Sequence, residues 1–297
     1  MTIKHQLLAF VVTFIWGTNF VLIEYGLDEL PPFLFATLRF LLVALPLILF
    51  LPKPNISWPL IAGYGLLIGF GQFGLMFYAM QNDITPGLAS LVIQMQVFFS
   101  IFFAIFLFKE SVKPIQWVAL IISFSGIALI ANNAGGQTTR FGLSLVLVAA
   151  MSWAMGNMVV KTSGKVSIVA FLAYSSLFAV PVLAAMSLYL EGWNRISTSI
   201  QSASMASVYV VLWQSIGNTI IGYGLWNYLL GRYSAAIVTP WALLVPVSGM
   251  ATSYLILDEP MPAWKIAAAV LILAGLAVNM RASQKGVVRG QAGHNHC

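Results

Sequence analysis

Residues 86–110 read PGLASLVIQMQVFFSIFFAIFLFKE: a proline-led start, a long apolar run, and then the charged pair of Phe108-Lys109-Glu110. A helix that crosses a bilayer needs about 20 mostly apolar residues, and 86–108 supplies them without a break. Shifting the chain by 149 residues lays Phe108-Lys109-Glu110 on Leu257-Asp258-Glu259. The same shift lays Gly126 (in Ser125-Gly126-Ile127-Ala128) on Gly275 (in Ala274-Gly275-Leu276-Ala277). More loosely, Trp16-Gly17-Thr18-Asn19 echoes Trp153-Ala154-Met155-Gly156-Asn157, with one residue inserted. Matches at one fixed offset predict an internal repeat.

Outward from that stretch, ten segments have a spanning character: 7–27, 32–51, 58–81, 86–108, 114–131, 141–161, 167–190, 205–230, 234–257 and 263–281. The breaks between them carry turn and helix-start residues, among them Pro31-Pro32, Pro52-Lys53-Pro54, Lys113-Pro114 and Asp258 to Pro262. Segment 205–230 is the most polar of the set. Each half holds five helices. Five is odd, so the second copy must enter the membrane from the opposite side, as in the inverted repeats of secondary transporters. The predicted fold is all-α, a polytopic membrane protein with ten transmembrane helices as two inverted five-helix repeats around a central cavity. The repeats occupy 1–132 and 141–282, and 283–297 is expected to be a disordered cytoplasmic tail.

Composition agrees. The 297 residues are 60% hydrophobic and only 7% charged, against about a quarter charged in soluble chains. So little charge cannot cover a surface in water, and lipid is the implied solvent. The net charge of +6 sits between apolar stretches, so it marks topology rather than nucleic-acid binding. With the N-terminus in the cytoplasm, Lys4, Lys53, Lys109, Lys113, Lys161, Lys165, Arg232, Arg281, Lys285 and Arg289 all fall inside, and only Arg140, Arg195 and Lys265 fall outside. Both termini are therefore expected to be cytoplasmic. The start of the chain mimics a signal peptide, but no small-residue cleavage pattern follows, so it is read as a retained first helix. The single cysteine, Cys297, excludes a disulfide within the chain.

The residues resemble the EamA-type branch of the drug/metabolite transporter superfamily. The likeness is carried by Trp16-Gly17-Thr18-Asn19-Phe20, Leu38-Arg39-Phe40, Phe70-Gly71-Gln72-Phe73, Pro86-Gly87-Leu88-Ala89-Ser90-Leu91, Phe108-Lys109-Glu110, Ser152-Trp153-Ala154, Gly222-Tyr223-Gly224 and Leu244-Val245-Pro246-Val247. Within that branch the chain is most similar to bacterial exporters of cysteine and O-acetylserine. The resemblance implies two five-helix repeats around a cavity, a bacterial inner-membrane location, and export of amino acids or other small metabolites. Its motifs fix the fold more closely than the substrate.

A transport cavity in such a protein needs flat aromatic walls and amide groups. Trp16 and Asn19 share one helical face, and Trp153 and Asn157 do the same in the other repeat. Gln94 and Gln96 are two apart and cannot face the same way, so Gln94, on a stripe with Ser90 and Phe98, is taken as the cavity residue. Gln72, Tyr78, Gln214, Tyr223 and Trp241 complete the substrate-binding set. For any one of these, a hydrogen bond to a neighbouring helix is the competing reading. Arg39, at membrane depth, is expected to pair with Glu24 or with helix-end carbonyls. It is read either as a packing anchor or as a substrate or gating residue. Pro240 and Pro246 are expected to kink the ninth helix and let it rock. Glu110 and Glu259 are expected to cap the helices that follow them, or to gate by pairing with lysines such as Lys109 or Lys113.

The sequence contains no Walker loop, no GxSxG, no HExxH and no CxxC pair, so no catalytic residue, cofactor or metal is expected. The tail His294-Asn295-His296-Cys297 has no standard metal spacing. The expected partners are a small-molecule substrate and the bilayer, with no nucleic acid and a monomeric or homodimeric state. The alternatives are an uptake or exchange carrier for another small metabolite or drug, and a membrane-embedded enzyme or non-transporting protein, of which the enzyme would need clustered His, Asp, Glu or Cys at membrane depth.

Overall fold

The computed structural model describes residues 1–110, 112–163, 167–233 and 235–294, with 235–236 and 283–294 described by their backbone. Lys165, counted above among the basic residues, lies outside the described residues, as do 295–297 of the tail. Among the described residues no β-strand is present, and the chain runs as ten long helices. These are α1 Ile3–Glu29, α2 Pro32–Phe50, α3 Trp58–Asn82, α4 Pro86–Phe108, α5 Pro114–Asn132, α6 Arg140–Thr162, α7 Ile168–Ser202, α8 205–232, α9 235–257 and α10 Ala263–His294. The last of these overlaps the residues expected to form the tail.

Local chemistry starts and stops them. Pro32, Pro86 and Pro114 each occupy the first turn of a helix, where the missing N–H costs nothing and φ is already set. Thr139 caps α6 by accepting from Gly142 N at 2.9 Å. α4 and α9 both end on a left-handed residue, Lys109 (φ 53°) and Asp258 (φ 52°). Those are the two non-glycine positive-φ residues among the described ones, and they stand 149 residues apart. The repeat read from the sequence thus reappears as identical backbone punctuation.

The helix pairs follow the same symmetry. α2 packs on α7 and α5 on α10, each pair joining equivalent helices of the two repeats, while α1 packs on α9 as α6 packs on α4. The α5–α10 contact turns on the matched glycines. A Cβ on Gly126 would lie 2.9 Å from the Ala268 carbonyl oxygen, and one on Gly275 would lie 2.6 Å from that of Ala119. Small residues at these points let the backbones touch, which is how helices associate in lipid.

Nine of the helices are long and apolar enough to cross a membrane, among the described residues. The tenth, α8, has the length but carries Gln214, Ser215, Asn218 and Thr219 across its middle, all buried. Its polarity faces inward. The apolar side chains of the bundle face outward instead: Leu49 is 78% and Phe50 81% exposed, a surface suited to lipid. After Gly192 (φ 76°) the chain forms a further helical piece, Gly192–Ser202, whose only buried residue is Ile196.

Four of the five irregular segments among the described residues also match, the fifth being the π-type turn Ser187–Glu191 in α7. α3 widens into π-type turns over Leu66–Gly74 and α8 over Trp213–Ile221. α4 tightens into a 3₁₀ turn at Ile93–Met95 and α9 at Thr239–Leu243. Such mid-helix departures tend to mark functional positions, and here all four border one space.

Candidate functional site

That space is a cavity of about 650 Å³ between the repeats. Trp16, Asn19, Gln72, Gln94, Trp153, Asn157 and Tyr223, all singled out from the sequence, line it. The two pairs of matched irregular elements explain the convergence: deep polar residues of these helices turn toward a region where they escape lipid. The walls from α6, α8, α9 and α10 come from the halves of those helices that end at the face carrying the N-terminus, as with Asn157, Trp226, Thr239 and Asn279. The cavity therefore runs from the midplane toward that face, called the terminal face below.

Three residues of the expected set lie elsewhere. Tyr78 packs its ring at a tilt against Phe33, with centroids 5.6 Å apart. Trp241 packs with Ala9, Leu229 and Val238 in a small separate cluster. Gln214 is fully buried behind the wall, bonded to Arg39 and Asn19. Conversely, Gln96, set aside from its spacing, does line the cavity beside Gln94. The reason is the 3₁₀ turn between them. Two residues at 3.0 per turn are about 120° apart in angle, against about 160° at 3.6 per turn. Gln96 Oε1 accepts from Asn157 Nδ2 at 3.0 Å, and Gln94 Nε2 donates to the Ala242 carbonyl at 3.3 Å. Asn218, Trp226 and Asn279 also line the space. Asn279 had a signal that went unused, an amide inside the otherwise apolar last span.

Arg39 does not pair with Glu24. Its guanidinium is 1% exposed at the residue level and lies over the Phe73 ring at 3.7 Å from the centroid. Nη1 donates to Gln214 Oε1 at 3.0 Å and Nη2 to Thr219 Oγ1 at 3.1 Å. Stripping an arginine of water costs several kcal/mol at this depth. Two hydrogen bonds and a desolvated cation–π contact offset part of that cost. The sequence could not choose this partner, because Gln214 belongs to the other repeat, 175 residues away. Glu24 has a buried Oε2 with no hydrogen-bond partner. Pro240 lies in the 3₁₀ stretch of α9, and Pro246 two residues into the helix that follows it.

The two glutamates at matching positions of the repeats each pair with a lysine, as the second reading expected, though with Lys161 and Lys265 rather than Lys109 or Lys113. Glu259 caps α4, not the helix that follows it: its carboxylate accepts from Thr85 Oγ1 at 2.5 Å, from Gly87 N at 2.9 Å and from Lys265 Nζ at 2.8 Å. A Cβ on residue 87 would sit 2.9 Å from that carboxylate and push it aside. Glu110 instead pairs with Lys161, both side chains roughly half exposed, a contact of little worth in stability. Two more carboxylates work like Glu259 at the same end of the bundle. Glu29 accepts from Ser204 N at 2.8 Å at the start of α8, and Glu191 accepts from Phe33 N at 2.6 Å at the start of α2. Each ties a helix N-terminus of one repeat to an acid of the other, where helix dipole and free N–H groups favour a negative charge. The face opposite the termini is thus laced shut while the cavity extends to the terminal face. No group of three or more His, Cys, Asp or Glu suited to a metal is found among the described residues.

Comparison with known proteins places this architecture. A "Probable amino-acid metabolite efflux pump" of Salmonella typhimurium is 38% identical over 286 residues, covering 94% of this chain and 96% of the relative. Its counterpart of the same name in Escherichia coli is 38% identical over 287 residues, with the same coverage. A crystal structure sharing 20% identity superposes with a TM-score of 0.62 over 93% of this chain and 98% of that one, and so shares the fold. The EamA-like transporter family model matches twice, over residues 3–132 and 140–281, which are the two inverted halves, and the chain belongs to that family.

Proposed function

We propose that this protein exports small metabolites, amino acids and derivatives such as cysteine or O-acetylserine first among them, across a bacterial inner membrane. The observation that carries the reading is the large cavity between the repeats, walled by indoles and amides, reaching the terminal face and closed at the other. The lysine and arginine bias puts the terminal face in the cytoplasm, so the site is open where an exporter collects its cargo. Alternating access then consists of breaking the acid–helix ties on the closed face as the repeats rock. The efflux names of the two relatives at 38% identity support the direction of transport.

Efflux from overexpressing cells tests this, with amino acids and related metabolites assayed in the medium. Cysteine-pathway compounds are expected to accumulate several-fold above a vector control. An unchanged medium across the whole panel overturns the reading. The lining shows no carboxylate among the described residues, which favours facilitated export over proton coupling. Collapsing the proton gradient in vesicles is expected to leave downhill efflux in place, and its complete loss would contradict the uncoupled mechanism.

A further inference from the structure

Within that reading, and resting on it, we infer that Glu24 is a proton-operated part of the closure on the face opposite the termini, neutral while that face is shut and ionised when it opens.

The two ends of the bundle treat one position differently. Glu24 stands eight residues after Trp16 in the first repeat, and Lys161 stands eight after Trp153 in the second. Each meets the glutamate that follows the helix packed beside it. α6 packs on α4, and Lys161 pairs with Glu110. α1 packs on α9, and the charge of Glu259 bears on Glu24. At the terminal face the two charges attract. At the closed face two acids meet, and Asp28, one turn on from Glu24, adds a third.

The neighbouring donors are committed elsewhere. Lys265 Nζ bonds Glu259 at 2.8 Å. Arg39 of α2 serves Gln214 and Thr219. α3 and α4 carry no charged residue within their spans, and α8 has Arg232 at its far end. The hydroxyls of Ser204 and Ser207, at the start of α8, bond Glu29. Arg195 acts on Glu191, and Arg140 donates to the Ala131 carbonyl. Glu24 is partly buried, and its Oε2 is buried without a hydrogen-bond partner. Ionised, such an oxygen is costly, because it has lost water, gained no donor and faces like charge. The neutral acid removes both the charge and the repulsion. Once the ties of Glu259 to Thr85 and Gly87 break and water enters, the cost of ionising Glu24 disappears. The shut arrangement thus binds the proton more tightly than the open one. Closure is favoured at low pH on that face and weakens as the pH there rises. The proton leaves Glu24 for water on that face and returns from it. Glu24 does not line the cavity, so no proton crosses with the cargo and export stays uncoupled.

The test uses the full chain, reconstituted in vesicles with the face opposite the termini outward, in a Cys297→Ser background carrying Met76→Cys on the cavity wall. A membrane-impermeant maleimide added outside reads how often that face opens, and only the outside pH is varied. The labelling rate with Glu24 intact is divided by the rate with Glu24→Gln, so that the titration of the thiol itself cancels. The ratio is expected to rise several-fold from about pH 5 to about pH 9, by no more than about tenfold per unit, the limit for one proton. Should Glu24→Gln fail to insert, the rate at the free thiol of glutathione under the same conditions takes its place as the divisor. A flat ratio overturns the inference. Labelling needs no cargo, so that result leaves the export reading standing, which the efflux panel tests on its own. No labelling from that face at any pH, while the same cysteine reacts from the terminal face, overturns alternating access and this closure together.

Discussion

A single buried arginine organises the site. Arg39 contributes no atom to the cavity lining, yet it orients Gln214 and through it Asn19, and it pins α8 through Thr219. Arg39→Leu is expected to destabilise the fold by roughly 1–3 kcal/mol for each buried partner left unsatisfied, and to reduce efflux to background. Arg39→Lys keeps the charge but lacks the planar fork that reaches two acceptors and stacks on Phe73, so it is expected to recover stability in part and transport poorly. Thermal unfolding in detergent, measured beside efflux in cells, separates the two effects. Wild-type efflux from the leucine variant would remove Arg39 from the transport site. The sequence marked Arg39 as unusual because charge is rare at that depth. Its partner was beyond reach, since Glu24 is close in sequence and opposite in charge while Gln214 is neither.

Elements carry the conformational logic. α4 and α9 end in the same left-handed turn and enter the same glutamate, yet the two glutamates behave differently. Glu259 is 4% exposed and holds the start of α4. Glu110 reaches only Lys161 at the surface. A structure in which both repeats were equivalent would treat them alike, so the difference records which face is shut. Glu259→Gln weakens the hold on Thr85 and Gly87 and leaves Lys265 without its carboxylate. With Cys297→Ser as background, Met76→Cys on the cavity wall is expected to react several-fold faster with a membrane-impermeant maleimide added from the face opposite the termini. Gly87→Ala, whose Cβ intrudes on the same carboxylate, is expected to act in the same direction. No rise in either variant would deny Glu259 a role as a latch. The legible part at this scale was the offset of 149 and the glutamates themselves. The 3₁₀ and π-type stretches were not legible, and they are what brought Gln96 to the cavity and turned the deep residues of α3 and α8 toward it. Helical periodicity assumes one angle per residue, and these segments change that angle.

At the scale of the molecule, the pairing of equivalent helices fixes the geometry of two halves related by an axis in the membrane plane. The basic-residue bias predicts a cytoplasmic terminal face, and reporter fusions at both ends are expected to give cytoplasmic signals. Ends on opposite sides of the bilayer would break the inverted arrangement. The sequence by itself determined the class of solvent, the helices, the repeat and most of the residues around the cavity. Those follow from composition, run length and local turn chemistry, which each short segment carries alone. Tertiary structure decided which amide faces the cavity and which supports it, why Tyr78, Gln214 and Trp241 stand apart, and which end of the bundle is closed. The place of Gln214 and the closed end depend on hydrogen bonds between the two repeats, from Arg39 to Gln214 and from Gly87 N to Glu259, whereas Tyr78 and Trp241 are held by ring and apolar packing. Such bonds are satisfied only once the halves have met, because the bilayer core offers no water to replace a missing partner.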